Sequence, residues 1–213
     1  MISLYSYWRS TAAYRVRIAL AYKQLEYKTL PVHLVNEGGE QHQPSYQQVN
    51  PLQLVPTLVD ADISITESMA ILEYLDEKYP QNPLLPKEQQ QRNKAREISQ
   101  MIACDIHPLD NLRVLQYLKR EMNQSQDEVN AWYHHWIHLG FQAIENMLLN
   151  FQGEYCLGNE ITMADVFLVP QVYNASRFKL DMGAYPRISK INANCLALNQ
   201  FQEAKPENQP DAN

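Results

Sequence analysis

The chain has 213 residues, of which 45% are hydrophobic and 20% charged, enough for one large domain or for two small ones. A net charge of −6 argues against nucleic acid or an anionic membrane as the main partner, because both require a basic protein face. The cysteines are scattered without a CxxC pair, so we expect no disulfide framework. The N-terminus lacks a signal-peptide pattern and no apolar run reaches membrane-spanning length, so we expect a cytoplasmic protein.

Residues 1–80 alternate between strand and helix patterns. The hydrophobic spacing predicts strands over 1–5, 27–30, 57–59 and 63–65 and helices over 11–23, 44–49 and 67–79. Pro80 ends the last of these helices. The order β-α-β-α-β-β-α is that of a thioredoxin-like α/β domain.

A proline-punctuated linker follows at residues 81–87, and the composition changes after it. The sequence beyond the linker shows no convincing strand and predicts helices near 88–120, 126–150, 163–178 and 186–198. We therefore expect an all-α second domain over 88–213, with Cys104 and Cys156 as small buried side chains. Residues 205–213 are polar and contain proline, so we expect this tail to be mobile.

Three places in the first domain carry groups suited to binding a peptide thiol. Ser10 stands before the first helix, where its ordinary role is to cap the helix and where free N–H groups also favour an anion. Pro56 stands where a thioredoxin-like fold has a cis-proline, which turns the backbone of Val55 outward to pair with a peptide. Glu67 and Ser68 open the third helix and suit an amino group and a carboxylate. Together these groups match glutathione.

A set of longer motifs spans most of residues 2–178: Tyr5–Ser10, Tyr14–Leu20, Asn50-Pro51, Val55–Leu58, His107–Leu112, Gly158–Asp165 and Val169–Phe178. In combination these motifs resemble the zeta class of glutathione transferases, whose best-known members are maleylacetoacetate isomerases. The resemblance implies the glutathione transferase fold, with a thioredoxin-like domain followed by an all-α domain. It also implies glutathione as the cofactor and a homodimeric assembly.

The resemblance assigns roles to residues of the first domain. Ser10, with Thr11 beside it, would hold the glutathione sulfur as a thiolate at the helix N-terminus. Val55 would pair with the cysteinyl backbone of glutathione, and Glu67 and Ser68 would hold its γ-glutamyl end.

Further roles follow from the same resemblance. Gln41 would bind the glycyl end of glutathione, and Asp110 and Asn111 would close the site from the helical domain of the same or the other subunit. Arg177 would bind a carboxylate of the substrate, with Arg9 adding positive charge, because a guanidinium fork suits a carboxylate. Without the resemblance, a surface ion pair is the favoured interpretation of Arg177.

The sequence departs from the family pattern at three positions. The usual Ser-Ser-Cys is replaced by Ser10-Thr11-Ala12, so the cysteine often credited with assisting the chemistry is missing. Glu67 and Asp110 stand where amides are usual and are expected to add negative charge near an anionic ligand.

Two motifs in the second domain are interpreted as structural. Thr162 and Asp165 form a capping box at the start of a helix, and we expect Asp165 to serve folding. His134 and His138 share a helix face, but a zincin helix needs Glu at the position of His135, and no third ligand is evident, so we expect no metal.

The resemblance implies that the protein is a glutathione-dependent cis–trans isomerase. The resemblance implies that its substrate is maleylacetoacetate, or a close relative from tyrosine and phenylalanine breakdown, which it converts to the fumaryl isomer. Two alternatives remain open: a broader glutathione transferase acting on small electrophiles such as α-halo acids, and a non-catalytic glutathione-binding protein.

Overall fold

The computed structural model describes residues 1–212 and divides the chain into two compact units. The first unit combines Met1–Leu84 with the residues from Leu196 onward, and the second is Leu85–Cys195. The first boundary lies inside the predicted linker. The C-terminal residues, by contrast, return to the first unit, whereas the helical domain was expected to continue to residue 213.

A mixed four-stranded sheet forms the first unit, with strand order β2-β1-β3-β4. The strands are β1 (Ile2–Ser6), β2 (Tyr27–Pro31), β3 (Thr57–Asp60) and β4 (Ile63–Thr66). Strand β1 runs parallel to β2 and antiparallel to β3, and β3 runs antiparallel to β4. This is the predicted thioredoxin-like arrangement, and each strand lies within two residues of its predicted bounds.

The register of the sheet brings several chain segments to one of its ends. Tyr5 pairs with Leu30 on one side and with Thr57 on the other, and Thr57 pairs in turn with Thr66. Four segments therefore meet at this end of the sheet. They are the segments that follow β1, β2 and β4 and the segment that precedes β3. The segment after β1 includes Ser10.

Helices cover the sheet of the first unit. They are α1 (Thr11–Tyr22), α2 (Pro44–Gln47), α3 (Ser68–Lys78) and, from the C-terminal part of the chain, α9 (Asn199–Glu203). Short 3₁₀ turns occupy Asn36–Gly38, Glu40–His42 and Pro206–Asn208. Helix α1 packs against both α3 and α9. Its side chains Ala13, Val16 and Leu20 are fully buried, as expected for the apolar stripe of a helix on a sheet.

The second unit is helical throughout its regular elements. These are α4 (Gln89–Gln100), α5 (Leu112–Arg120), α6 (Gln126–Met147), α7 (Met163–Arg177) and α8 (Pro186–Leu196), with a π-helical turn at Met101–Ile106 and 3₁₀ turns at Leu148–Asn150 and Met182–Ala184. Along the part of the chain that the structure describes, no helix is both long and apolar enough to cross a membrane.

The helix predicted over 88–120 is in fact interrupted. Helix α4 ends at Gln100, the π-helical turn carries the chain to Ile106, and a new helix starts at Leu112. Pro108 interrupts the backbone hydrogen bonding because it has no N–H, and the Asn111 side chain caps the new helix by accepting from Arg113 N–H at 3.1 Å. Single π-turns within helices frequently accompany functional sites.

The capping box of α7 has the predicted form. Asp165 is fully buried, and its Oδ2 accepts from both the N–H and the hydroxyl of Thr162 at 2.9 Å. Its second oxygen accepts from Cys156 N–H at 2.8 Å. Asp165 therefore joins the start of α7 to the preceding loop, which is the structural role expected from the sequence.

Histidine and cysteine side chains of the second unit each have identifiable surroundings. His134 Nε2 lies 2.7 Å from the carbonyl oxygen of Phe178, and His138 Nδ1 contacts the hydroxyl of Tyr185, so the two rings have different partners.

Cys156 is buried as expected. The expectation for Cys104 was wrong: this thiol is exposed, because the π-helical turn buries Ile102 and Ile106 instead.

Candidate functional site

The turn between β1 and α1 places Ser10 at the start of the first helix. Ser10 is the N-cap of α1, and its Oγ accepts from Ala13 N–H at 3.2 Å. Its own N–H donates to Tyr7 O at 2.9 Å, which closes the turn. Thr11 is the first residue of the helix and is 3% exposed. The capping role predicted for Ser10 is confirmed, and its hydroxyl lies beside the positive end of the helix dipole.

The loop before β3 is held by hydrogen bonds to one carbonyl group. Leu54 O accepts from the hydroxyl of Tyr46 at 2.6 Å and from the amide of Asn50 at 2.8 Å. The next peptide bond, Val55-Pro56, is cis, as predicted from its position in the fold. Val55 lies two residues before β3, at the sheet end that also carries Ser10.

A third segment at the same sheet end joins β4 to α3. Glu67 is the N-cap residue of α3, and it has the unusual backbone angles φ 66° and ψ 119°. Positive φ in a residue other than glycine costs about 1–3 kcal/mol and concentrates at functional sites. Among the described residues no side chain caps α3, so the N–H groups of its first turn remain suited to an anion.

Ser68 is linked to the first helix. Its side chain is buried and its Oγ accepts from Arg15 Nη1 at 3.1 Å. Arg15, itself 1% exposed, therefore joins the segment that carries Ser10 to the segment that carries Glu67. The Arg9 side chain is instead exposed, with its guanidinium carbon 4.3 Å from the ring centroid of Trp8.

Gln41 lies in the segment after β2, which also begins at this sheet end. Gln41 is 8% exposed, and its amide nitrogen lies 3.4 Å from Leu34 O. The same nitrogen packs so closely against Gly39 that a Cβ atom at position 39 would lie 2.4 Å from it. The amide is therefore packed within its own loop, and its assignment to a ligand remains a prediction.

In the second unit, Arg177 is the last residue of α7 and is exposed. Its Nη1 donates to the Asn174 side chain at 3.2 Å, and none of the described carboxylates forms an ion pair with it. The alternative of a surface ion pair is thus not realised. Close to Arg177 in the chain, the ring of Phe178 stacks on the ring of Tyr133, with centroids 3.6 Å apart. Burial raises the pKa of the Tyr133 hydroxyl, and the positive charge of Arg177 lowers it in part.

Asp110 is a buried carboxyl group in the segment before α5. It is 4% exposed, and neither of its oxygens has a hydrogen-bond partner among the described residues. Burial raises the pKa of Asp110 to about 8. Burial therefore opposes the negative charge that the sequence led us to expect at Asp110. Asn111, next to it, caps α5 and lies 3.5 Å from His107 Nε2.

Comparisons with known proteins agree with the arrangement of the first unit. The family model "Glutathione S-transferase, N-terminal domain" matches residues 1–77. The probable maleylacetoacetate isomerase of Vibrio cholerae is 52% identical over 209 residues, which cover 98% of this chain and 97% of that protein. The chain belongs to the maleylacetoacetate isomerase family.

Solved structures of related proteins extend the comparison to the second unit. A holo structure of a bacterial maleyl pyruvate isomerase, a zeta-class glutathione S-transferase, superimposes with a TM-score of 0.96 at 40% identity and covers 99% of this chain and 100% of its own. A maleylacetoacetate isomerase from Methylobacterium extorquens, solved with bound malonate and glutathione, has a TM-score of 0.94 at 36% identity, with 99% of both chains covered. This maleylacetoacetate isomerase family member therefore has the predicted glutathione transferase fold.

The residues of the first unit fit glutathione, the cofactor of the maleylacetoacetate isomerase family. Ser10 places a hydroxyl at a helix N-terminus, a position that suits a thiolate, and Val55 lies just before β3, next to the cis peptide bond. The N-terminus of α3 lacks a side-chain cap, and its N–H groups together with the Ser68 hydroxyl suit a carboxylate. One end of the sheet thus carries groups suited to the sulfur, to the peptide backbone and to a carboxylate of glutathione.

Several polar groups of the second unit were missed by the sequence reasoning. The Tyr133 hydroxyl, the Gln171 amide and the Trp136 indole N–H are buried without hydrogen-bond partners among the described residues. Asn174 was missed as well, although its position three residues before Arg177 places it on the same helix face. That spacing could have revealed Asn174, whereas the others look like ordinary core residues in the sequence.

The raised pKa of Asp110 predicts an effect on stability. The unfolded carboxyl releases its proton near its ordinary pKa of 3.8 and the folded one near 8, so the native state loses stability as pH rises between these values. We expect Asp110→Asn to abolish this loss, making the variant more stable than the wild type by about 1–2 kcal/mol near pH 8, since water penetration relieves part of the burial penalty.

Urea unfolding at a series of pH values measures this difference. The exposed Asp105→Asn variant is the matched control, because it removes a carboxyl from the same part of the chain. Parallel stability curves for Asp110→Asn and the wild type would show that Asp110 ionises normally.

Proposed function

We propose that this protein converts maleylacetoacetate to fumarylacetoacetate, with glutathione as the cofactor. Family membership supports the reaction, and the observation that carries it for this chain is the convergence of Ser10, Val55 and Ser68 at one sheet end. Bound glutathione supplies a thiolate that adds to the activated double bond of the substrate and leaves after rotation.

The first unit prepares the nucleophile in this proposal. The Ser10 hydroxyl donates a hydrogen bond to the sulfur, and the N-terminal dipole of α1 lowers the pKa of the thiol. Thr11, at the first helical position, adds its backbone N–H to the same field. The Glu67 carboxylate and the Ser68 hydroxyl hold the amino and carboxyl groups of the γ-glutamyl end.

The second unit orients the substrate. Arg177 has no described carboxylate as an ion-pair partner, and its guanidinium is steadied by Asn174, so it is available for a substrate carboxylate. Burial raises the pKa of Asp110, which favours the protonated carboxyl, and in that form Asp110 would donate a hydrogen bond and add no negative charge to the site. Asn111, Gln41 and Arg9 keep their predicted supporting roles in ligand binding.

A glutathione transferase acting on α-halo acids is the second candidate. It would use the same site with a different electrophile, whereas the departures from the family pattern at Ala12, Glu67 and Asp110 favour the third candidate, a non-catalytic protein. The same thiolate and the same arginine would serve an electrophile that carries a single carboxylate. A non-catalytic glutathione-binding protein would bind the tripeptide without turnover of either substrate.

The deciding experiment measures isomerisation of maleylacetoacetate with and without glutathione, beside release of halide from an α-halo acid. We expect glutathione-dependent isomerisation with kcat/KM at least about tenfold above that for the halo acid, because the diacid offers a second group for charge-assisted binding. Faster dehalogenation would favour the second candidate, and glutathione binding without either reaction would favour the third.

The assembly and the location are proposals too. We propose a homodimer, on the family resemblance, and light scattering of the purified protein tests it. A cytoplasmic location is supported by the free thiols of Cys104, Cys156 and Cys195, which are typical of a reducing compartment.

A further inference from the structure

The turn that carries Ser10 is held by residues far away in the sequence. Residues 196–212, named here the C-terminal segment, belong to the first unit with this turn. Asp211 Oδ2 accepts from the backbone N–H of Trp8 at 3.0 Å, and Asp211 is 203 positions away from Trp8 in the chain. This part of the chain was expected to be mobile, and the contact to Trp8 shows that the expectation was wrong.

A buried arginine makes a second connection between the turn and the C-terminal segment. Arg17, which is fully buried, donates to Trp8 O at 3.0 Å and to Tyr7 O at 3.4 Å. The same guanidinium donates through Nε to Ala204 O at 3.1 Å. One side chain therefore binds the turn before Ser10 and the C-terminal segment together.

The C-terminal segment is itself folded tightly enough to act as an anchor. The Gln209 side chain is 9% exposed and donates to Glu203 O at 3.0 Å and to Lys205 O at 2.8 Å. These bonds close the segment just before Asp211. Next to Asp211, Ala212 packs against an apolar cluster formed by Tyr7, Trp8, Val32, Tyr46 and Val55.

The apolar cluster connects the anchor to both halves of the proposed glutathione site. Trp8 lies two residues before Ser10, and Val55 provides the backbone proposed to pair with glutathione. Asp211 fixes the backbone of Trp8 on one side, and Arg17 fixes it on the other. The position of the Ser10 hydroxyl therefore depends on Asp211 and Arg17, which are not among the residues proposed to bind glutathione.

We propose that Asp211 is a positioning residue, which holds the Trp8 turn so that Ser10 and the first turn of α1 face the glutathione sulfur. This inference rests on the proposed function. It predicts that loss of the Asp211 carboxylate weakens glutathione binding and raises the pKa of the bound thiol, while the fold of the first unit is kept by its sheet and by Arg17.

The test compares Asp211→Ala and Asp211→Asn with Glu203→Gln, which removes an exposed carboxylate from the same segment. Calorimetry measures the Kd for glutathione, and the ultraviolet absorbance of the thiolate measures the pKa of the bound thiol. We expect the Kd of Asp211→Ala to rise about tenfold and the thiol pKa to rise with it, since a bond to a charged acceptor is lost. Asp211→Asn retains a weaker acceptor and should show about a threefold rise.

Two results would overturn the proposal. One is an unchanged Kd and thiol pKa in both Asp211 variants; the other is a lower urea midpoint with an unchanged thiol pKa, which is what a merely structural role predicts. Hydrogen exchange of the Trp8 amide tests the anchor without glutathione, and it should accelerate in Asp211→Asn even if Asp211→Ala fails to fold. Failure of the wild type to bind glutathione would refute the proposed function, whereas unchanged exchange would refute the anchor.

Discussion

Replacing Ser10 by alanine is expected to lower kcat/KM for glutathione-dependent isomerisation by about two orders of magnitude, because a single preorganised donor to a reacting anion contributes that much. The hydroxyl caps α1 through Ala13 N–H and also lies where the sulfur is proposed to bind. Loss of the donor should raise the pKa of the bound thiol and reduce the thiolate fraction at neutral pH. Steady-state kinetics and thiolate absorbance measure the two effects on the same sample.

Capping and catalysis are separable at this position. Ser10→Gly loses the hydroxyl but weakens the cap by only a few tenths of a kcal/mol, whereas Ser10→Thr retains both hydroxyl and cap. We expect Ser10→Gly to be as slow as Ser10→Ala and Ser10→Thr to keep most of the rate. The exposed Ser64→Ala is the control for loss of a serine hydroxyl in the same unit. Full activity in Ser10→Gly would remove Ser10 from the mechanism.

Replacing Arg177 by alanine is expected to lower kcat/KM by about a hundredfold, mainly through a higher KM for the diacid substrate, because a bidentate contact to a carboxylate is lost. Arg177→Lys keeps the charge but not the fork, so its loss should be nearer to about tenfold. Initial rates over a range of substrate concentrations at saturating glutathione separate KM from kcat.

Two controls make the Arg177 prediction specific. Arg120→Ala removes the arginine that ends α5, as Arg177 ends α7, so the two changes have the same effect on a helix dipole. A substrate analogue with the relevant carboxylate converted to an amide should be turned over equally by the wild type and Arg177→Ala. An equal loss of activity toward the diacid and the amide would mean that Arg177 does not bind this carboxylate.

The elements of the first unit were predictable because local signals and tertiary structure agree there. Strand alternation, the Ser10 cap and the position of Pro56 each depend on only a few neighbouring residues. The capping box at Thr162 and Asp165 was predictable for the same reason, since both partners lie within one turn of helix.

The features that could not be predicted depend on contacts between distant residues. The pKa of Asp110 is raised by burial in the folded unit, which a residue type alone does not reveal. The residues around Asp211 look like a polar, proline-bearing tail in the sequence, because their partner Trp8 is at the other end of the chain. The break between α4 and α5 is a different case, because Pro108 and the Asn111 cap are local signals that the prediction of one helix over 88–120 overlooked.

A crystal structure of the protein with bound glutathione would show whether Ser10 holds the sulfur. We expect the sulfur to lie within hydrogen-bonding distance of Ser10 Oγ at the N-terminus of α1, with the cysteinyl backbone paired to Val55. A sulfur bound away from the first turn of α1, with Ser10 contacting only its own helix, would contradict it.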